Sequence, residues 1–343
     1  MPGYALGADR VEQHARQDTP DDCCVDPFLP PFAIVGGFAA LLWGADRFVL
    51  GAAAMAHNLG ISPLIVGLTI VGFGTSAPEL LVSAIAAHRD ATDLSIGNAL
   101  GSNITNIALV LGLTALVAPL PVSREVIDRQ LPVLLAAMLG ASALLADGQL
   151  GFGDGALLLL SLAITAGWVV WRGVVEHHAS DTDGSVTGTL STPKALAWGA
   201  VGLFILLSSS EILVWGAKSV AVNLGVSERV IGLSVVAFGT SLPELVATLV
   251  AARRREHDIA VGNIVGSNMF NLLGVLGLPG IIAPGPCKTS FLRFDAPVMI
   301  GLTVLLWILA RCLRPRHRLS RGQGALLAAC YVGYVGALAL GVR

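Results

Sequence analysis

Polar and apolar residues fall along this chain in long blocks, not at the short periods of half-buried helices or strands. Ten apolar blocks stand out, approximately 32–56, 62–87, 93–118, 130–147, 153–172, 195–221, 229–252, 258–283, 294–312 and 323–342. Blocks of this kind are long enough to cross about 30 Å of hydrocarbon at about 1.5 Å per residue. The connections between them are short, as packed helices require. The exception is 176–193, which holds two histidines, three acidic residues and many Ser, Thr and Gly, and which divides the blocks five and five. The pattern predicts an all-α transmembrane fold of ten helices, arranged as a polar tail (1–31), a first half (32–175), a polar linker (176–193) and a second half (194–343). Glycines interrupt the second, third, seventh and eighth blocks. In a membrane helix that means close packing or a local break.

Composition agrees. Of 343 residues 54% are hydrophobic and only 13% charged, with a mean hydropathy of +0.75; a soluble domain carries about 25% charged residues. A net charge of -2 gives no footprint for nucleic acid. The basic residues instead report orientation. Twelve Lys and Arg collect on one side of the predicted spans, among them Arg253–Arg255 and the 311–321 cluster, against seven on the other, with Arg47 and Lys218 inside spans. The positive-inside rule then places the linker in the cytoplasm and both termini outside; the expected location is a plasma membrane of the bacterial inner-membrane kind. The five cysteines have no disulfide or metal-site spacing. The tail has no basic region leading into a short apolar stretch, so it does not read as a standard signal peptide.

The decisive feature is an internal repeat. Residues 60–119 align without a gap to 225–284 at an offset of 165, with 28 of 60 positions identical. One block reads Gly72-Phe-Gly-Thr-Ser-Ala-Pro-Glu79 and returns as Ala237-Phe-Gly-Thr-Ser-Leu-Pro-Glu244. The other reads Gly97-Asn-Ala-Leu-Gly-Ser-Asn-Ile-Thr-Asn106 and returns as Gly262-Asn-Ile-Val-Gly-Ser-Asn-Met-Phe-Asn271. Chance similarity of apolar stretches would match Leu and Val, not Thr, Ser, Pro, Glu and Asn. The offset also sets Asp46 opposite Glu211. Five spans per half is an odd number, so the second half enters from the opposite side. Inverted repeats with discontinuous helices are the architecture of secondary transporters with a midplane site.

Glu79 and Glu244 lie within apolar spans, where a carboxylate is costly unless compensated. Each follows a proline, Pro78 or Pro243, whose missing N–H and bulky ring free the carbonyl four residues back. Thr75, Ser76, Thr240 and Ser241 add hydroxyls one turn earlier, and Ser102, Asn106, Ser267 and Asn271 add groups close to one face of the partner spans. All are oxygen ligands, suited to hard cations: Na⁺, Ca²⁺ or H⁺-coupled ions. Cys and His are absent from both blocks, which argues against Zn²⁺ or Cu⁺, and no nucleotide or cofactor motif occurs. Plainer roles compete. The Thr and Ser hydroxyls can bond back to helix carbonyls. Asn98, Asn103, Asn263 and Asn268 serve equally well as tethers for broken backbone. Asp46 and Glu211 suit helix pairing or an access path, with Lys218 about two turns after Glu211. Asp93 and Asp258 read as helix caps.

On these blocks the chain resembles the cation/calcium exchanger superfamily, specifically its prokaryotic sodium/calcium exchanger-like members, over 32–342. The blocks look like that family's alpha-1 and alpha-2 repeats. The resemblance implies ten helices, one Ca²⁺ site with neighbouring Na⁺ sites at the repeat interface, and alternating access by sliding of the first and sixth helices. It implies Glu79 and Glu244 as central carboxylates and Thr75 and Thr240 as carbonyl donors to Ca²⁺. Ser76, Ser241, Ser102 and Ser267 then resemble donors to Na⁺ sites, with Gly72 and Ala237 giving backbone carbonyls and Asn106 and Asn271 near the centre. Some members carry Asp at the position of Asn271, so this site is one carboxylate poorer and K⁺ cotransport is disfavoured. The linker is far too short for the calcium-sensing domain of animal members. The expected function is antiport of Na⁺ against Ca²⁺, extruding Ca²⁺, with H⁺/Ca²⁺ antiport as the alternative. A channel or sensor and an intramembrane enzyme are the rival classes, and no Ser–His constellation at membrane depth supports the enzyme.

Overall fold

The computed structural model describes residues 29–177, 190–225, 237–312 and 318–341. The first half contains α1 (Leu29–Leu59), α2 (Pro63–Thr75), α3 (Ala77–His88), α4 (Thr92–Val117), α5 (Val126–Asp147) and α6 (Phe152–His177). The second contains α7 (Thr192–Asn223), α8 (Ala237–Thr240), α9 (Leu242–Arg253), α10 (His257–Ile282), α11 (Phe291–Arg311) and α12 (Arg321–Ala339). Among the described residues eight helices are long and apolar enough to span a membrane, and α2 with α3 forms a ninth span bent by 44°. Of the expected span 229–252, the part before Ala237 lies outside the described residues, as does most of the 1–31 tail and of the 176–193 linker. Helices α1 and α7 run 31 and 32 residues. That is about 46 to 48 Å of helix, more than the bilayer requires, so both must tilt or project.

The repeat is visible in backbone detail. Gly60 and Gly225, 165 apart, both have positive φ (64° and 75°), and so do Asp90 and Arg255 (54° and 67°), which close the turns after α3 and α9. Wide π-helical turns recur at Val126–Gln130 and Phe291–Asp295, and at Asn106–Val110 and Phe270–Val275. Such turns insert a residue into the helical ladder and are frequent at functional sites. Two antiparallel clasps join the halves crosswise: β1 (Leu120–Pro121) pairs with β4 (Arg318–Leu319), and β2 (Gln149–Leu150) with β3 (Gly285–Pro286).

Beside a large apolar core, the exterior is apolar too and polar groups are buried within. Phe32, Val35, Phe73, Leu81, Phe204 and Val332 are exposed, whereas Glu79, Asn103, Asn106, Glu244, Asn263 and Asn271 are wholly buried. Apolar rings outside and amides inside suit a lipid solvent. Helices α1 and α7 pack along one another through small residues, with Gly44 against the Leu206 backbone and Gly37 against Ser209 and Leu213. On this pair Arg47 lies over both Trp43 and Trp198, 5.6 and 5.0 Å from the ring centroids.

Two expectations need correction. Asp93 and Asp258 are not caps: α4 begins after Ala91 and α10 after Glu256, so both aspartates lie in the first turn. Asp93 instead pairs with Lys288 at 3.1 Å across the loop between α10 and α11. Lys218 makes no ion pair with Glu211, while Asp46 is paired, with Arg254 at 2.6 Å.

Candidate ion site

The backbone breaks where the prolines predict. Ser76 (φ −85°, ψ 4°) separates α2 from α3, and Ser241 (φ −89°, ψ 6°) separates α8 from α9. Glu79 and Glu244 therefore fall in the first turn of α3 and α9. Unpaired N–H groups and the positive end of the helix dipole lie there, which favours a carboxylate. Neither serine side chain caps its helix, so both hydroxyls remain for other partners. The carbonyl that Pro243 frees, on Gly239, accepts from Ser210 at 3.2 Å.

Around Glu244 the groups close on one another. Ser76 Oγ donates to Glu244 Oε1 at 3.2 Å. Thr75 Oγ1 lies 3.0 Å from Asn263 Oδ1, 3.1 Å from the Val71 carbonyl and 3.2 Å from Ser267 Oγ. Ser267 Oγ in turn donates to the Gly72 carbonyl at 3.3 Å. Beneath this cluster α2 and α10 touch backbone to backbone: a Cβ on Gly262 would stand 2.7 Å from the Leu64 carbonyl, and one on Gly72 3.0 Å from Ser267 N. Gly72, Thr75, Ser76, Glu244 and Ser267 are thus brought together at one closed contact.

Their counterparts are arranged differently. Ser241 Oγ is buried without a hydrogen-bond partner, and so are both carboxylate oxygens of Glu79. Ser102 and Thr240 line a cavity of about 860 Å³ that runs between α4 and α12 toward Asp93 and Lys288. Nothing among the described residues approaches within 4 Å of a Cβ built on Gly101, the repeat mate of Gly266. Ala237 begins the described part of α8 and its side chain lies outside the described residues. The two halves are alike in sequence and unlike in packing.

Asn106 and Asn271 are both wholly buried, and among the described residues neither amide atom of either is hydrogen-bonded. Glu244 Oε2 is likewise without a partner. Buried carboxylates and amides left so within the protein are expensive, several kcal/mol for each charge, unless a cation takes up their oxygens. The donor set suits that: carboxylate, amide, hydroxyl and carbonyl oxygens with flexible spacing.

The structure answers for two of the four asparagines that sequence left open, while Asn103 donates back to the Ala99 carbonyl of its own helix at 2.8 Å and the buried Asn268 amide has no partner among the described residues. Asn98 Nδ2 donates to the Glu79 carbonyl at 3.2 Å, and Asn263 Nδ2 to the Glu244 carbonyl at 3.4 Å and to Thr248 Oγ1 at 2.9 Å. These asparagines tether the broken turns. Ser83, the mate of Thr248, shares a hydrogen bond with Ser95 and donates to the Val275 carbonyl at 2.7 Å. The hydroxyl kept at both 83 and 248 was the available signal. Asp295, 2% exposed and hydrogen-bonded to Tyr334 Oη at 2.8 Å, was also missed.

A family model described as sodium/calcium exchanger protein matches residues 29–171 and again 194–340. The chain belongs to the sodium/calcium exchanger family. Among curated proteins, the exchanger is 43% identical to the putative antiporter CaxA of Alkalimonas amylolytica, over 88% of this chain and 96% of that protein. It is 37% identical to the inner membrane protein YrbG of Escherichia coli (strain K12), over 89% and 95%. A solved structure of the sodium-calcium exchanger NCX_Mj matches with a TM-score of 0.79 at 34% identity, covering 91% of the exchanger and 99% of that chain. The exchanger is a multi-pass membrane protein of inverted-repeat architecture and a secondary active cation antiporter.

Proposed function

We propose that the exchanger moves Ca²⁺ against Na⁺ through Glu79 and Glu244, one ion species displacing the other. The carrying observation is the pair of wholly buried glutamates, one in each repeat, together with the wholly buried Asn106 and Asn271, whose amides have no partner among the described residues. Two carboxylates balance one Ca²⁺. Thr75 and Thr240 supply carbonyls to it, while Ser76, Ser241, Ser102, Ser267 and the carbonyls of Gly72 and Ala237 hold Na⁺ in flanking clusters. With neutral Asn at both 106 and 271, the charge of the unloaded centre is that of Glu79 and Glu244; it resists reorientation through hydrocarbon, so transport is obligatory exchange and the Na⁺ gradient expels Ca²⁺. The two halves, 32–175 and 194–343, alternate in which one is closed. In the state described here, the Thr75–Ser267 side is shut and the cavity beside Ser102 and Thr240 is the access route.

Both termini and that cavity face the extracytoplasmic side, and 176–193 the cytoplasm. The basic bias supports this orientation, as does the neighbouring structure, described in terms of extracellular ion exchange and binding-site occlusion. The test is isotopic Ca²⁺ flux in proteoliposomes with Na⁺, K⁺ and H⁺ gradients imposed separately. Ca²⁺ movement driven by the Na⁺ gradient at uniform pH is expected, and abolished in Glu79→Gln. Movement only under a pH gradient would replace Na⁺ by H⁺ as the coupling ion. Wild-type exchange by Glu79→Gln would defeat the central role of the glutamates.

A further inference from the structure

The ion pair on α1 has a repeat mate that is open. Arg254, at the C-terminal end of α9, holds Asp46 of α1 through Nε at 2.7 Å and through Nη2 at 2.6 Å. Adding and subtracting the offset of 165 gives the counterparts: Glu211 on α7 for Asp46, and Arg89 at the end of α3 for Arg254. Arg89 and Glu211 are both exposed and make no ion pair among the described residues. The helices agree: α1 packs along α9, whereas α7 makes no comparable contact with α3. The ends are alike in residue type and backbone, since Asp90 and Arg255 close both turns with positive φ.

We propose that Asp46–Arg254 and Glu211–Arg89 are reciprocal latches, each closed in only one of the two access states. This rests on alternation between the halves. Because the repeats are inverted, the opposite state is reached by exchanging their packing arrangements. Helices α1 and α7, locked together through glycines, then move as one body past α3 and α9. The movement would release Asp46 and bring Glu211 to Arg89. The latches do not touch the transported ions. They position the sliding pair at each end of its travel.

The test uses the full-length exchanger with its native cysteines replaced, in parallel buffers saturated with Na⁺ or with Ca²⁺, so that the loaded protein can reorient whichever ion it takes. Val82→Cys, in the cavity wall, and Ala247→Cys, its repeat mate on the closed side, report access from opposite faces through their labelling by an impermeant thiol reagent. The pair is about one-third exposed, which limits each latch to about a two- to five-fold effect on the ratio of the two rates. Asp46→Asn is expected to lower the Val82→Cys to Ala247→Cys ratio and Glu211→Gln to raise it. The exchange Asp46→Arg with Arg254→Asp is expected to restore the wild-type ratio. Ratios that are unchanged, that shift in the same direction for both single variants, or that stay shifted in the charge exchange would overturn the proposal.

Discussion

Gly101→Ala adds one methyl group to α4, and its effect differs between the two access states. Here the added Cβ meets nothing within 4 Å, and even Gly97, one turn earlier, has only the Phe291 ring at 3.6 Å. The mates Gly262 and Gly266 are jammed against α2. A Cβ on Gly262 would stand 2.7 Å from the Leu64 carbonyl, and one on Gly266 would press into the carbonyl of Leu68. When the halves exchange roles, Gly101 must take the place of Gly266. Forcing a methyl into a packed backbone contact costs about 1–3 kcal/mol, or about a 5- to 150-fold depletion of that state. In the present state Ala gains up to about 1 kcal/mol over Gly in a helix. Gly101→Ala is therefore expected to have an unchanged or raised Tm and an exchange rate lower by roughly that factor. Gly266→Ala is expected to lower Tm. The assays are Ca²⁺ exchange in proteoliposomes and thermal unfolding in detergent. Wild-type exchange by Gly101→Ala at an unchanged Tm would refute the role exchange, because no state would then require the contact.

Asn271→Asp adds a third carboxylate beside Glu79 and Glu244, so Ca²⁺ affinity is expected to rise by at least about ten-fold and turnover to fall, as measured by the Ca²⁺ dependence of initial rates. Asn263→Ala removes the bonds to the Glu244 carbonyl, Thr248 and Thr75; a loss of about 1–3 kcal/mol should appear as a lower Tm, larger than the change for Asn98→Ala, which breaks only the bond to Glu79. Ser320→Ala deletes the reciprocal cap with Gln323 at the start of α12; about 1 kcal/mol of stability should be lost with the Ca²⁺ dependence of exchange unaltered.

Much of this architecture is legible in the sequence because membrane solvent simplifies it. Apolar length marks a span, and a polar residue inside a span stands out. Identity at 165 carried Glu79 onto Glu244 and Asn106 onto Asn271 with no structural help. The packing asymmetry was not legible: equal residues at Ser102 and Ser267 say nothing about which is shut, because that is a property of a state. Asp93 was misread because its helix starts one residue earlier, at Thr92, which turns the carboxylate toward Lys288. Asp295 escaped notice because it begins a span, where charges are ordinary, although it folds inward onto Tyr334.

The two strand clasps have a consequence for ancestry and assembly. Each joins a connection in one half to the alternate connection in the other, β1 with β4 and β2 with β3, and neither half closes a clasp on itself. Two copies of a single half-length chain, inserted head up and head down, would form both clasps between subunits and bury both glutamates at their shared seam. The fold is therefore one that an antiparallel homodimer could build before any gene fusion. A fused chain cut within 176–193 should reassemble from its two co-expressed pieces, whereas either piece alone lacks the strands that complete it.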